Sequence, residues 1–244
     1  MKTCLFVGPT LSGETVPSGI QPFGPVAMGS VFRAVEAGYR RIGIVDGYFG
    51  NVPSVWHKEI LFALSAGVEV SGAASLGALR AAELHAFGMI GIGCIYRAFR
   101  RGIWTDDDEV AIIHAPERLA FQTLSLAMTN IRVTLRKLRR LGVLDATLAK
   151  ALIRHMKDMH FSRRTSDELQ QHASTLVGEA DAEKLAHVFA REYVDVKALD
   201  ARALVAWLVQ DRSVQHVQRD WQFPATGHWT MQFEHEIADV PRLL

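Results

Sequence analysis

The sequence predicts an α/β fold, a mostly parallel sheet with flanking helices followed by a helical C-terminal region. Short apolar runs alternate with helical segments through the first part of the chain. Those runs are apolar on both faces, the pattern of strands buried between helices. From Pro116 onward only helical periodicity with polar faces remains.

TCLFVG at 3–8 is the first apolar run, and it stops at Gly8-Pro9. IGIVDG at 42–47 is the second, and VEVSGA at 68–73 the third. Between and after them lie VFRAVEAGY at 31–39, SVWHKEILFALSAG at 54–67 and LGALRAAELHAFG at 76–88, with Gly38, Gly67 and Gly88 as expected C-terminal stops. A further helix near 92–101 and the acidic turn Asp106-Asp107-Asp108 lead to EVAIIHA at 109–115, expected as a fourth strand. Right-handed crossovers would join these strands. The resulting division is an α/β core over 1–116, a helical region over 117–212 and a C-terminal extended segment over 213–244 packed on the body.

With 244 residues, 49% of them apolar, the chain can bury a substantial core. The formal net charge of +1 gives no reason to expect bulk attraction to nucleic acid or an anionic membrane. The basic run Arg132–Arg140 has no accompanying aromatic residues and is expected to be the solvated face of an amphipathic helix. Cys4 and Cys94 lie in apolar stretches without Cys-x-x-Cys spacing, which argues for reduced core residues. No signal peptide or run of about 18 apolar residues is present, and a cytoplasmic location is expected.

In an open parallel sheet, ligands gather where the strand carboxyl ends feed loops and helix N-termini. Gly8–Ser12, Asp46–Phe49 and Ser75 are all expected on that side. Ser75, inside Ala73-Ala74-Ser75-Leu76-Gly77, has the small-x-Ser-x-Gly outline of a nucleophile elbow, in which the hydroxyl projects from a tight bend and the next N–H can hold an oxyanion. A serine at a helix start is also a favoured N-cap. With Ser54 as N-cap, Lys58 falls in the first turn of its helix, where the dipole disfavours an ammonium, and a neutral lysine can act as a base. Alone, a lysine at position 58 is more often a surface residue. Arg80, one turn beyond Ser75, can orient an anion or pair with Glu83. His57 and Glu59 are two apart and point in different directions, which disfavours a shared metal ion. No Gly-rich phosphate cradle is present, so no nucleotide cofactor is expected.

FVGPTL (6–11), IGIVDGYF (42–49), PSVWHKEIL (53–61), GAASLGALRAAEL (72–84), FGMIGIG (87–93) and DDDEVAIIHAP (106–116) together resemble the TfuA family over roughly the first 130 residues. Leu76 stands where methionine is usual, and Gly29-Ser30-Val31 where Gly-Asp-Val is usual. The resemblance implies work beside a YcaO enzyme, which activates a peptide amide with ATP so that sulfur replaces its oxygen. It further implies hydrolysis of a thiocarboxylated ThiS-like sulfur carrier, releasing hydrosulfide through a Ser-Lys pair carried over as Ser75 and Lys58. Backbone N–H groups near Leu76, Gly8 and Gly47 would stabilise the oxyanion, and His57 and Arg80 would supply positive potential. The peptide would be reached through YcaO. The alternative is a non-catalytic module that bridges YcaO, peptide and carrier.

Overall fold

The computed structural model describes residues 1–50, 52–210 and 221–238. Five strands, β1 (Thr3–Phe6), β2 (Ile20–Phe23), β3 (Arg41–Ile44), β4 (Glu69–Ala73) and β5 (Ile90–Ile92), form one sheet in the order β2-β1-β3-β4-β5. Every pairing is parallel. The sequence-based fold class is therefore the observed one.

Alternation along β1 distributes the core between two faces, as the two-residue period of a strand requires. Cys4 and Phe6 join Ile42, Ile44 and Val70 against Val31 and Val35 of α1 (Ser30–Glu36) and Ile60 and Leu64 of α2 (His57–Ser65). Leu5 faces the other way. The helices α3 (Leu76–Leu84), α4 (Gly93–Arg100), α5 (Met128–Arg140), α6 (Ala146–Asp158), α7 (Ser166–Val177), α8 (Glu179–Arg191) and α9 (Val196–Leu208) follow. α5 to α8 bury Ile131, Leu135, Leu152, Leu169 and Phe189 in a separate apolar cluster.

α9 returns to the sheet and covers the face bearing Leu5 and Ala73 with Ala198, Ala201, Leu204 and Leu208. Its direction is fixed at both ends. Buried Arg41, the first residue of β3, donates to the Leu208 carbonyl at 2.8 Å and the Trp207 carbonyl at 3.2 Å. Asp200 accepts from the N–H groups of Cys94 at 2.9 Å and Ile95 at 2.7 Å, just beyond the carboxyl end of β5. α9 thus runs against the strands and delivers its N-terminal turn to their carboxyl edge.

Two strands escape the sequence reading, and one expected strand is absent. β2 carries Pro22 and exposes three of its four residues, which fits an edge strand that needs no donor on its open side. β5 has only three residues between helices. The 109–115 segment does not join the sheet: Glu109 ends a 3-10 turn, and the following residues pair locally, Ala115 N–H to Gln122 carbonyl and Leu124 N–H to Ile113 carbonyl, both at 2.8 Å. β5 already occupies the position beside β4, and Glu109 is held towards the helical layer by two 2.8 Å bonds from Arg132 of α5.

The 213–244 segment is also not uniformly extended. Gly227–Ala238 form α10, whose Trp229 and Phe233, one turn apart, pack on Phe32 of α1 with ring centroids 5.8 and 4.9 Å away. The parts at 213–220 and 239–244 lie outside the described residues. Ser54 does not cap α2; its hydroxyl donates to the Tyr48 carbonyl at 2.7 Å, and Trp56 is the N-cap. Lys58 still falls in the first turn. At the departure from Gly-Asp-Val, the Ser30 hydroxyl accepts from the Ala27 N–H at 3.1 Å, a turn bond available to either residue type. No described helix is long and apolar enough to cross a membrane.

Candidate functional site

Strand order 2-1-3-4-5 places a topological switch between β1 and β3, and the crevice beyond their carboxyl ends is the ligand position in open α/β sheets. Asp46, 1% exposed, ties the two loops that meet there. Its Oδ2 accepts from the N–H groups of Gly8 at 2.9 Å and Thr10 at 3.0 Å, and its Oδ1 from the Thr10 hydroxyl at 2.5 Å. The Gly8 N–H expected to face an oxyanion thus serves Asp46 instead.

One strand further along, the turn from β4 into α3 has elbow geometry. Ala74 adopts φ 66°, a left-handed conformation that costs a non-glycine residue about 1–2 kcal/mol. Ser75 follows at φ −113°, ψ −128° and makes no side-chain cap bond. The N-cap reading of this serine therefore lacks its defining contact. The glycines explain the tightness: a Cβ on Gly72 would lie 2.1 Å from the Gly77 carbonyl oxygen, and one on Gly77 would lie 1.8 Å from that of Ile44. The Gly77 N–H donates to the Val45 carbonyl at 3.1 Å, which draws the start of α3 against the residue preceding Asp46. Among the described residues neither the Leu76 nor the Gly47 N–H donates to a partner.

Ser75 is 2% exposed, whereas the expected cationic partners lie towards the surface. Lys58 Nζ donates to the Thr226 hydroxyl at 2.7 Å and sits 5.7 Å above the Phe223 ring, so the structure joins it to the C-terminal segment rather than to Ser75. His57 Nε2 and Arg80 Nη1 each lie 2.7 Å from Glu83 Oε2. Burial raises the Glu83 carboxyl, but the bonds and charges of His57 and Arg80 outweigh it and hold the group below its usual range. The Arg80 Nε is buried without a partner. Arg80 lines a cavity of about 370 Å³ together with Leu76, Phe49 and Ser54 and with the carboxylates of Glu83, Asp106 and Asp107, so the lining beside the elbow holds more acidic than basic groups.

On the far side of Phe49 a second cavity of about 590 Å³ is lined by Tyr48, Asp107, His114 and His160. Near it, Asp106, Asp108 and Glu109 bring carboxylate oxygens within 4.8 Å of one another. Cationic side chains already fill that cluster: Lys157 reaches all three carboxylates, fully buried Arg164 pairs with Asp108, and Arg132 with Glu109. Burial alone would raise the Asp108 carboxyl; the bonds from Lys157 and Arg164 prevail and lower it. Stability from this pairing is present above the unfolded value near pH ~4 and is lost as pH falls through the lower folded value. Asp108→Asn is expected to cost about 2–3 kcal/mol at pH 7 and to flatten the acid side of the stability curve, measured by urea denaturation at a series of pH values. An unchanged acid limb would remove Asp108 from that role.

Sequence reasoning left two residues at this edge without a role. Asp46 was visible as the Asp-Gly after a strand, but its partners are long-range. Lys197, in the first turn of α9, is 3% exposed and donates to the Val110 carbonyl at 2.9 Å. Nothing in the local pattern Asp195-Val196-Lys197-Ala198 marks that lysine as buried.

The fold and this edge together define a class: an open parallel α/β protein with a serine on a tight strand-to-helix elbow. Residues 46–165 match the TfuA-like protein family, and the chain belongs to that family. The matched stretch contains Lys58, Ser75, Leu76 and Arg80, whereas Gly8 and Lys197 lie outside it. No curated protein matches the chain.

Proposed function

We propose that this protein hydrolyses the C-terminal thiocarboxylate of a ThiS-like sulfur carrier and supplies hydrosulfide to a YcaO partner for peptide thioamidation. The observation that carries the reading is the elbow: an αL Ala74, a Ser75 hydroxyl free of capping duty, and an unengaged Leu76 N–H immediately after it. Ser75 Oγ attacks the thiocarboxylate carbon, the Leu76 N–H stabilises the oxyanion, and sulfur leaves as hydrosulfide. Water then cleaves the ester and frees the carrier as a carboxylate. Arg80, whose Nε has no partner among the described residues, is the cation available to a thiocarboxylate anion in the cavity, where it must outweigh Glu83, Asp106 and Asp107. For Lys58 to serve as the base, its ammonium must leave the Thr226 hydroxyl, give up a proton to solvent and bring the neutral amine to the Ser75 hydroxyl.

The burial of Ser75 favours a second reading, a module that bridges YcaO, peptide and carrier without chemistry. Hydrosulfide release from a thiocarboxylated carrier, measured beside YcaO binding for wild type and Ser75→Ala, separates the two. Lost release with retained binding supports the hydrolase. Release that is unchanged, or absent in the wild type, removes it.

A further inference from the structure

The geometry points to the groove between α5 and α6 as a docking site for an acidic amphipathic helix of a partner protein. The groove belongs to the helical layer, and its assignment stands apart from any chemistry at Ser75.

The short segment 141–145 joins α5 to α6 and makes them antiparallel neighbours. Ile131, Leu135 and Leu152 turn inward with the residues of α7 and α8. At the surface between α5 and α6 lie two cavities, of about 330 and 630 Å³, which share Arg139 and so form one groove. Arg132, Arg136 and Arg139, at i, i+4 and i+7, line it from α5, and Lys150 and Arg154, at i and i+4, from α6. Ala149, Ala151 and Ile153 of α6 add apolar surface, and Trp104 joins them in the first cavity. Folding thus sets an aromatic ring beside a basic run that has none in its own stretch of sequence. Among the described residues no carboxylate lines either cavity.

These cations do little for the free chain. Arg132 binds the buried Glu109 carboxylate in both 2.8 Å bonds, but Arg136, Arg139, Lys150 and Arg154 are exposed and have no ion pair among the described residues. The like-charge pairs Arg132/Arg136 and Arg136/Arg140, each one turn apart on α5, weaken the helix rather than support it. A partner that brings carboxylates removes that repulsion.

The form of the groove selects the partner. α5 and α6 are 13 residues each, about 20 Å long, which matches a bound helix of roughly three turns. Cations at helical spacing meet carboxylates at the same spacing, with guanidinium groups suited to two-point bonding. Small alanine side chains let such a helix approach, while Ile153 and Trp104 receive its apolar stripe. Single-stranded nucleic acid fits less well: successive bases need successive aromatic platforms, and Trp104 alone lines the groove. A flat bilayer cannot enter a concave site.

The test is fluorescence anisotropy with full-length protein and three labelled probes. One is an acidic peptide with glutamate and leucine at helical spacing, the second a scramble of the same composition, and the third an oligouridylate of equal charge. Wild type is expected to bind the patterned peptide at least ~10-fold more tightly than either other probe. Arg136→Glu/Arg139→Glu and Lys150→Glu/Arg154→Glu should each weaken it at least ~10-fold, with Arg40→Glu, outside the groove, within about 2-fold of wild type. Equal affinity for patterned and scrambled peptides reduces the groove to a diffuse field and overturns the proposal, as does tighter binding of the oligouridylate or no binding of the patterned peptide. Undiminished binding by the folded double variants places the peptide elsewhere. A photoreactive patterned peptide on wild-type protein decides without any variant: adducts on α5, α6 or Trp104 support the groove, and adducts confined to other segments reject it.

Discussion

Ser75→Ala is expected to lower hydrosulfide release by on the order of 10³-fold or more, with a melting temperature close to that of the wild type. The two halves of this expectation come from one observation. The hydroxyl makes no cap bond to α3, so its removal leaves no buried N–H unsatisfied at the helix start. Alanine carries the same Cβ as serine, so the backbone at φ −113°, ψ −128° costs the two residues alike. A stabilising role would give the opposite pattern, with unchanged release and a loss of about 1 kcal/mol for the missing cap. Steady-state sulfide release and a thermal melt on one preparation distinguish these outcomes.

Gly77→Ala is expected to have the largest effect on stability. The added methyl would sit 1.8 Å from the Ile44 carbonyl oxygen and 2.6 Å from its carbon, both backbone atoms of a central strand. Neither can rotate away as a side chain would, so α3 must lift from the sheet. A loss of at least ~3 kcal/mol follows, equivalent to a fall of roughly 6–12 °C in a chain of this length. Gly142→Ala provides the control: at φ 72° with nothing within 4 Å of the new Cβ, it carries only backbone strain of about 1–2 kcal/mol. Equal melting temperatures for the two variants would contradict the close-packing argument.

Legibility followed the range of the forces involved. Strands β1, β3 and β4 are buried on both faces, and their apolar runs announced them. β2 escaped because an edge strand tolerates Pro22 and polar neighbours, and β5 because three residues carry no period. EVAIIHA has the composition of a strand, but tertiary pairing of Glu109 with Arg132 overrides it. At the site, Ser75 was legible because an elbow is written in adjacent residues. The burial of Lys197 was not, since it depends on where α9 lands after more than a hundred intervening residues, and Lys58 was drawn elsewhere by Thr226.

The placement of α9 also has a consequence for how the chain must be made. The last strand ends at Ile92, but the helix that covers the second face of the sheet is not complete until Leu208. At about 5–20 residues per second, a ribosome needs on the order of ten seconds to bridge that interval. Throughout it, Leu5, Val45 and Ala73 have no Leu204 or Leu208 to shield them. The nascent sheet is therefore a sticky intermediate during translation, and any early stop codon before α9 is expected to yield aggregated rather than shortened, working protein.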